Sequence, residues 1–583
     1  MRKRTPERRP LKIYALDPLI GGTSNNRLVV DVPYERLRQG PVGRRLRVVD
    51  FDGVHRRYYE AVDLDAPEIL LSGGLDPSEA DPRFHQQMVY AVAAMTLESF
   101  ERALGRRVPL ARGGARSTLT LIPHAFHGAN AYYDPSLHAI MFGYFRASRT
   151  EPGLTLPGQN VFTCLSHDII AHEMAHALVH QLRPLFNEAS NADVIAFHEG
   201  FADVVALFQH FSFVEILHQQ IQASRTNLRD KSLMAELAIQ FGQATGVGDA
   251  LRSAIRGKER LSDSIQEPHR RGAILLAALF DAYFAIYESR IRDLIRIATG
   301  GTGNLPDADL HPDLVRRIAQ EAASAARSLS TMCIRAFDYL PPVDITFGDY
   351  LRALITADVE LAPLDSDGHR AAIIEAFRSR AIYPEGVRSL ADESLIWDAP
   401  ESISRMPIGT AEMLRQFVQT GVSISKTTEE IHAPGILSER LTRDLRQWAT
   451  DQATSLFLNT NTNIEVRSAN HVFRVAPDGQ LLLEFVAQFE QLSESNPEGG
   501  TIPVRGGTTV VADGNGDVRY VIAKPLPSSR LPDQLSKAAK HRVDRQRDFV
   551  SLDRHDGFDC AGNAEQRRAH GWDFLQIHQV VGR

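Results

Sequence analysis

The spacing of apolar positions changes twice along the chain and divides it into three stretches. From Leu46 short alternating runs dominate: RLRVVDF, RRYYEAV, STLTLIPH and AYYDPSLHAIMFGYF read as strands, the last broken by a turn at Asp134-Pro135. Between them Met88, Ala91, Met95, Phe100 and Leu104 fall near helical spacing and predict a helix over 84–104. Beyond Pro157 helical spacing takes over, predicting helices over 165–182, 191–211 and 271–299 and a group from 312 to 380. After the connector YPEGVRSLADESLIWDAPES, helices are expected around 410–420 and 438–457. HVFRVAPDGQLLLEFVAQF and TTVVADGNGDVRYVIA then each read as two strands around a glycine-containing turn. The first dozen residues, charged and containing proline, read as a solvated arm. The fold class expected is α+β.

A length of 583 residues suggests three or four units at about 150 residues each. With 43% hydrophobic and 23% charged residues, the composition is that of a globular chain with ample core. The net charge of −7 provides no global positive field, so no nucleic-acid partner is expected. The longest apolar run, GAILLAALF, stops at Asp281 and is far short of the ~18 residues of a membrane span, so it reads as a buried helix and no membrane partner is expected. The basic N-terminus lacks an apolar stretch behind it, which makes a cytoplasmic location the expectation. Cys164, Cys333 and Cys560 are too far apart for a disulfide framework or a thiolate zinc ribbon. Any metal is therefore expected on histidine and carboxylate.

Such donors occur in SHDIIAHEMAHALVHQL, where His172, Glu173 and His176 form H-E-x-x-H. Residues four apart share a helix face, so both histidines can present nitrogens to one Zn²⁺. Glu173 then lies beside the metal's water and can take its proton as general base. With 21 histidines the pattern arises by accident in roughly 5% of such chains, so a third ligand is the deciding feature. A metzincin needs Gly three residues and His six residues past the second histidine; Val179 and Leu182 stand there. Downstream, NADVIAFHEGFADVVALF places Glu199 and Asp203 four apart on a predicted helix. Glu199 would complete a His2Glu set with one position open, and Asp203 would hold the far nitrogen of a ligand histidine.

With these residues the chain resembles the gluzincin metallopeptidases, most closely the thermolysin-like family, over roughly 80–385. Asn130-Ala131-Tyr132-Tyr133 resembles the family's substrate-holding edge strand, which implies that Asn130 and Ala131 bind an extended peptide. Gly248-Asp249-Ala250-Leu251-Arg252-Ser253 resembles the segment whose arginine binds a substrate carbonyl, which implies that role for Arg252. Pro268-His269-Arg270-Arg271-Gly272-Ala273-Ile274 resembles the segment whose histidine stabilises the oxyanion, which implies that role for His269, with a His-to-Gly gap one residue shorter than the family's. The resemblance further implies a two-lobed catalytic region: a strand-containing N-terminal lobe over 46–180 ending in the zinc helix, and a helical C-terminal lobe over 181–385. Residues 1–45 form an arm and extension, and 386–583 an accessory α+β module, both outside the resemblance. The family's tyrosine between the motif and the third ligand has no counterpart, since no Tyr lies between His176 and Glu199.

The activity implied is a zinc-dependent peptidase acting on peptides or proteins. The alternatives are a non-catalytic scaffold of the same fold and a metallo-aminopeptidase. Other features have plainer readings: His180 as a polar group at a helix end, His198 and His210 as core or surface histidines, and Cys164 as a small buried hydrophobe. Asp513-x-Asn515-x-Asp517 reads as a hairpin turn, because Val518 and Lys524 occupy the positions where an EF-hand needs Gly and Glu. The basic run near Lys537 reads as a solvated helix face. One or other terminal extension is expected to restrain access to the cleft.

Overall fold

The computed structural model describes residues 6–16, 18, 26–110, 118–147, 149, 156–226, 228, 259–305, 310–365, 367–400, 402–407, 439–475, 481–495, 502–528 and 531–552. Arg252, Cys560 and the helix expected at 410–420 lie outside these residues. The N-terminal segment corrects the sequence expectation. β1 (Arg8–Tyr14) pairs antiparallel with β2 (Arg27–Pro33), so residues 8–14 form a strand in place of the expected solvated arm. The reason is its alternation: Arg9, Leu11 and Ile13 all turn inward. The terminal nitrogens of the buried Arg9 guanidinium donate to the Leu64 carbonyl, the Glu35 carbonyl at 2.9 Å and the Asp65 carboxylate.

β3 (Leu46–Val48) is followed by the small hairpin of β4 (Phe51–Asp52) and β5 (Arg57–Tyr58), the short helix α1 (Pro67–Ser72) and the long helix α2 (Pro82–Leu104). The Asp81 side chain caps α2 by accepting the Arg83 N–H at 3.0 Å, and Gly105 ends it with a φ of 64°. β6 (Leu119–His127), β7 (Ala131–Asp134), β8 (Ala139–Arg146) and β9 (Asn160–Phe162) join β3 in a five-stranded sheet of order β3-β6-β8-β7, with β9 also on β8. β3, β6 and β8 are parallel to one another, while β7 and β9 run antiparallel to β8 along successive stretches of it. This sheet packs on α2 and, through β7, on α3 (His167–Leu182).

Helices dominate from there: α4 (Ala192–His210), α5 (Val214–Ser224), α6 (Pro268–Ala298), α7 (Pro312–Arg335), α8 (Phe347–Leu361), α9 (His369–Ser379) and the short α10 (Asp392–Leu395). α6 is the one helix among the described residues that alone is long and apolar enough to cross a membrane, and 78% of its most apolar window is buried in the core. α4 and α6 cross at Gly200 and Gly272. A Cβ on Gly200 would sit 2.5 Å from the Gly272 carbonyl oxygen, and one on Gly272 would sit 2.7 Å from the Ala196 oxygen. Only glycine allows this approach, and the approach sets how near the start of α6 comes to α4.

Residues after 386 supply α11 (Glu439–Asp451), a four-stranded antiparallel meander and α12 (Asp533–Leu552). The meander comprises β10 (Glu465–Val475), β11 (Leu481–Ser495), β12 (Ile502–Asp513) and β13 (Val518–Lys524). Strand alternation gives the meander two apolar faces. Phe485, Ala487, Phe489, Val510 and Ala512 pack on Leu445 and Trp448 in a second core. Val472, Val486, Val511 and Ile522 join the main core with α2 to α9. At that junction Asp338 accepts two bonds from Arg106 at 2.6 Å and one from Arg474 at 2.5 Å, and Arg474 also pairs with Glu484. Around the α3–α4 loop, Arg505 pairs with Glu188 at 2.5 Å, and Asp344 accepts from Asn191 at 2.7 Å and from Arg545 at 3.4 Å.

All members of the Asp338 network are buried, so removing its carboxylate would strand the Arg106 guanidinium and leave Arg474 with Glu484 as its remaining carboxylate. Asp338→Ala is expected to cost about 3–5 kcal/mol in urea unfolding. Asp517→Ala, which breaks an exposed pair with Arg405, should leave the urea midpoint nearly unchanged.

Candidate metal centre

α3 is buried on almost every side, so its polar residues at 172, 173 and 176 are desolvated and must find partners inside the protein. His172 and His176, one turn apart, bring their Nε2 atoms to 2.9 Å. α4 runs antiparallel to α3 and delivers Glu199, fully buried, with Oε2 at 3.6 Å from His172 Nε2 and 3.5 Å from His176 Nε2. His269, in the first turn of α6, reaches the same oxygen with Nδ1 at 3.5 Å. The Gly200–Gly272 crossing explains that meeting, because Glu199 and His269 lie one and three residues before the two glycines.

The outer nitrogens decide what the inner ones offer. His172 Nδ1 lies 3.0 Å from Asp203 Oδ1, an acceptor, so that nitrogen carries the hydrogen and Nε2 keeps its lone pair. His176 Nδ1 lies 2.8 Å from His198 Nδ1, and donating there again leaves a lone pair on Nε2. Two lone pairs and a carboxylate therefore converge on one point. Among the described residues neither oxygen of Glu199 has a hydrogen-bond partner of good geometry, a costly arrangement for a buried anion. The donor separations of 2.9, 3.5 and 3.6 Å bracket the edge of about 3.3 Å in a tetrahedral site with bonds of about 2.0–2.1 Å. The orphaned carboxylate, the facing lone pairs and these separations fit a His2Glu metal site; the same three residues form a group able to hold an ion.

Glu173 stands beside this triangle. One carboxylate oxygen accepts the backbone N–H of Tyr133 on β7 at 2.9 Å, which ties the helix to the strand edge. Burial pushes its pKa up to about 8, with Glu199 and Asp203 adding to the rise and His172 and the Tyr133 N–H opposing it. For His172, burial works against the charged form, but the bond to Asp203 and the contact with Glu199 outweigh it and raise the pKa to about 10. Burial likewise opposes ionisation of Glu199, yet the fields of His176 and His269 hold it well below the usual carboxylate range.

The structure thus brings together His172, Glu173, His176, Glu199, Asp203 and His269. Asn130 precedes β7; its side chain accepts the Ala131 N–H at 2.9 Å and its carbonyl accepts the Gly143 N–H at 2.8 Å. His198 was missed as a partner of the centre. Its only sequence signal is adjacency to Glu199 on a helix that faces α3. His210 bonds Asp168 at 3.0 Å, and His180, at the end of α3, bonds the Tyr133 hydroxyl at 3.0 Å. The chain matches no protein-family model and no curated protein.

A metal-free chain would hold protons in place of the cation, on His172 up to about pH 10 and on Glu173 up to about pH 8. Unfolded, these groups release them near 6.5 and 4.5, so the folded form binds more protons across the interval and its stability falls as pH rises. The thermal midpoint of the metal-free chain should drop from about pH 6 to about pH 9, less steeply in Glu173→Gln, and added Zn²⁺ should raise the midpoint more at the higher pH. Equal midpoints at both pH values would contradict the proton-for-metal exchange.

Proposed function

We propose that the chain is a zinc-dependent peptidase of gluzincin type with a thermolysin-like catalytic region. In this reading the sheet-bearing part through α3 and the helical part from α4 are its two lobes. The observation that carries the reading is the convergence of His172, His176 and Glu199, with Glu173 beside them and anchored to the edge strand β7. His172, His176 and Glu199 would hold the ion; when bound, Zn²⁺ supplies Lewis acidity that polarises a carbonyl and makes water nucleophilic near neutral pH.

The remaining roles belong to this chain's own groups. Because Tyr133 N–H pins one oxygen of Glu173, the other is the one that takes the proton of the attacking water and passes it to the leaving amine. β7 pairs only with β8 among the described residues, and the Asn130 carbonyl turns toward β8 while the Tyr133 N–H turns away from it. Antiparallel alternation then directs the backbone groups of Ala131 outward as well, and an extended peptide can add there as a further strand. Asn130 is placed to exchange its bond to Ala131 N–H for one to that peptide. His269 offers a ring N–H to the negative oxygen of the tetrahedral state. Asp203 and His198 keep the two ligand histidines in one tautomer. Arg252 retains its proposed substrate contact through the resemblance alone.

Glu173→Gln is expected to keep the zinc content of the parent chain and lose about 10²–10⁴ in peptide hydrolysis. His172→Ala should lose both metal and activity. The measurement is metal content together with cleavage of a peptide library in free-amine and acetylated forms. Full activity on acetylated peptides supports an endopeptidase, whereas activity restricted to free amines indicates the aminopeptidase. Bound zinc without turnover, indifferent to Glu173→Gln, would sink the peptidase reading in favour of the scaffold.

Replacing His198 by Leu should weaken zinc binding about 10–100-fold in chelator competition, and His198→Asn, which keeps an acceptor, should restore most of it. Unchanged affinity in His198→Leu would remove His198 from the centre.

A further inference from the structure

A second pair of buried imidazoles, remote in sequence from the H-E-x-x-H motif, repeats the lone-pair arrangement of the first. His124 on β6 turns Nδ1 to an Asp50 carboxylate oxygen at 2.6 Å, and His85 on α2 turns Nε2 to the Glu79 carbonyl at 3.1 Å. Both partners are acceptors, so both outer nitrogens carry hydrogens. The inner nitrogens, His124 Nε2 and His85 Nδ1, are then lone pairs in the neutral rings, and they face one another at 2.9 Å. That contact is repulsive unless a proton or a cation lies between them. Carboxylate and carbonyl acceptors behind the rings are also the contacts that orient histidines bound to metals.

The third group distinguishes a cation from a proton. Cys164, in the turn between β9 and α3, brings its sulfur within 4.8 Å of a ring nitrogen of each histidine, and all three residues are at least 99% buried. A cavity of about 450 Å³, bounded by Arg57, Tyr59, Glu79, Pro82 and Phe162, reaches both imidazoles. It provides an access path and room for a fourth ligand. The cluster of His167, Asp168 and His210 makes an instructive contrast. There both Nδ1 atoms face the same Asp168 oxygen, at 3.4 and 3.0 Å, and a carboxylate accounts for both without any ion.

We propose that His85, His124 and Cys164 form a second metal site, with two nitrogen donors and one thiolate, for a transition-metal ion such as Zn²⁺. The thiolate excludes Ca²⁺ and Mg²⁺, which prefer all-oxygen shells. Binding releases the thiol proton to solvent and leaves the fourth position directed at the cavity. The site ties α2, β6 and the segment entering α3 together. It shares no residue with the His172 centre and does not rest on the peptidase reading.

The test uses the full chain, stripped with a chelator and reloaded with Co²⁺, with cobalt counted by elemental analysis and thiolate-to-cobalt charge-transfer absorption read in the near ultraviolet. The expected result is two ions per chain and a thiolate band. Cys164→Ser and His85→Gln should each bind one ion without the band, while His172→Ala/His176→Ala should bind one ion and keep it. The His172 centre has no sulfur, so failure of either site is seen separately. The unsubstituted chain alone decides the matter if a variant misfolds: a chain that shows no thiolate band, whether it binds one ion or none, overturns the proposal and leaves a shared proton between the two imidazoles. A band that survives Cys164→Ser overturns it as well.

Discussion

A buried carboxylate with no hydrogen-bond donor of good geometry among the described residues is the constraint around which this molecule is arranged. Glu199 sits in the interior of α4 with no exposed surface, and among the described residues the cationic groups that approach its charge are imidazole nitrogens at 3.5 to 3.6 Å. An anion in that position is tolerable only beside a positive charge. Much of the surrounding structure serves to place it. Asn191 caps α4 by accepting the Asp193 N–H at 2.8 Å and is itself held by Asp344. Asp193 in turn takes Arg271 of α6 at 2.6 Å, and the two glycines let the helix axes close. The result is a rigid frame in which a shift of one helix would move the carboxylate away from the histidines of α3.

The residues beyond 386 belong to that frame energetically. Their meander contributes one face to the main core, and the Asp338 network joins the end of α2, the turn after α7 and the first two meander strands. β12 reaches the α3–α4 loop through Arg505 on Glu188, and α12 approaches it through Arg545 on Asp344, which itself holds Asn191. Buttressing of the loop that feeds α4 is the physical contribution these contacts make.

Long elements with one clear period were legible in the sequence. α2, α3, α4, the helices from α6 to α9 and the four meander strands all coincide with runs of helical or alternating spacing. So do β7 and β8, whose turn is marked by Asp134-Pro135. α5 was not among the expected helices. The pairing of His172 with His176 was legible because i,i+4 spacing on a helix is a geometric statement in itself. What was not legible depends on long-range pairing. β1 looks like a charged tail until Arg9 meets the Leu64 and Glu35 carbonyls and Asp65. His198 gains meaning only when α4 is laid against α3. Cys164 gains it only when β6 and α2 bring His124 and His85 together from far along the chain. Cysteine spacing argued against a thiolate ribbon, and by its nature said nothing about one cysteine meeting two histidines in space.

The most direct test of the account is a crystal structure with anomalous scattering recorded on both sides of the zinc absorption edge. The account predicts a zinc peak inside the triangle of His172 Nε2, His176 Nε2 and the Glu199 carboxylate, about 2.0–2.1 Å from each. Glu199 turned away from the two histidines, or no peak in that triangle from crystals grown with zinc, would contradict it.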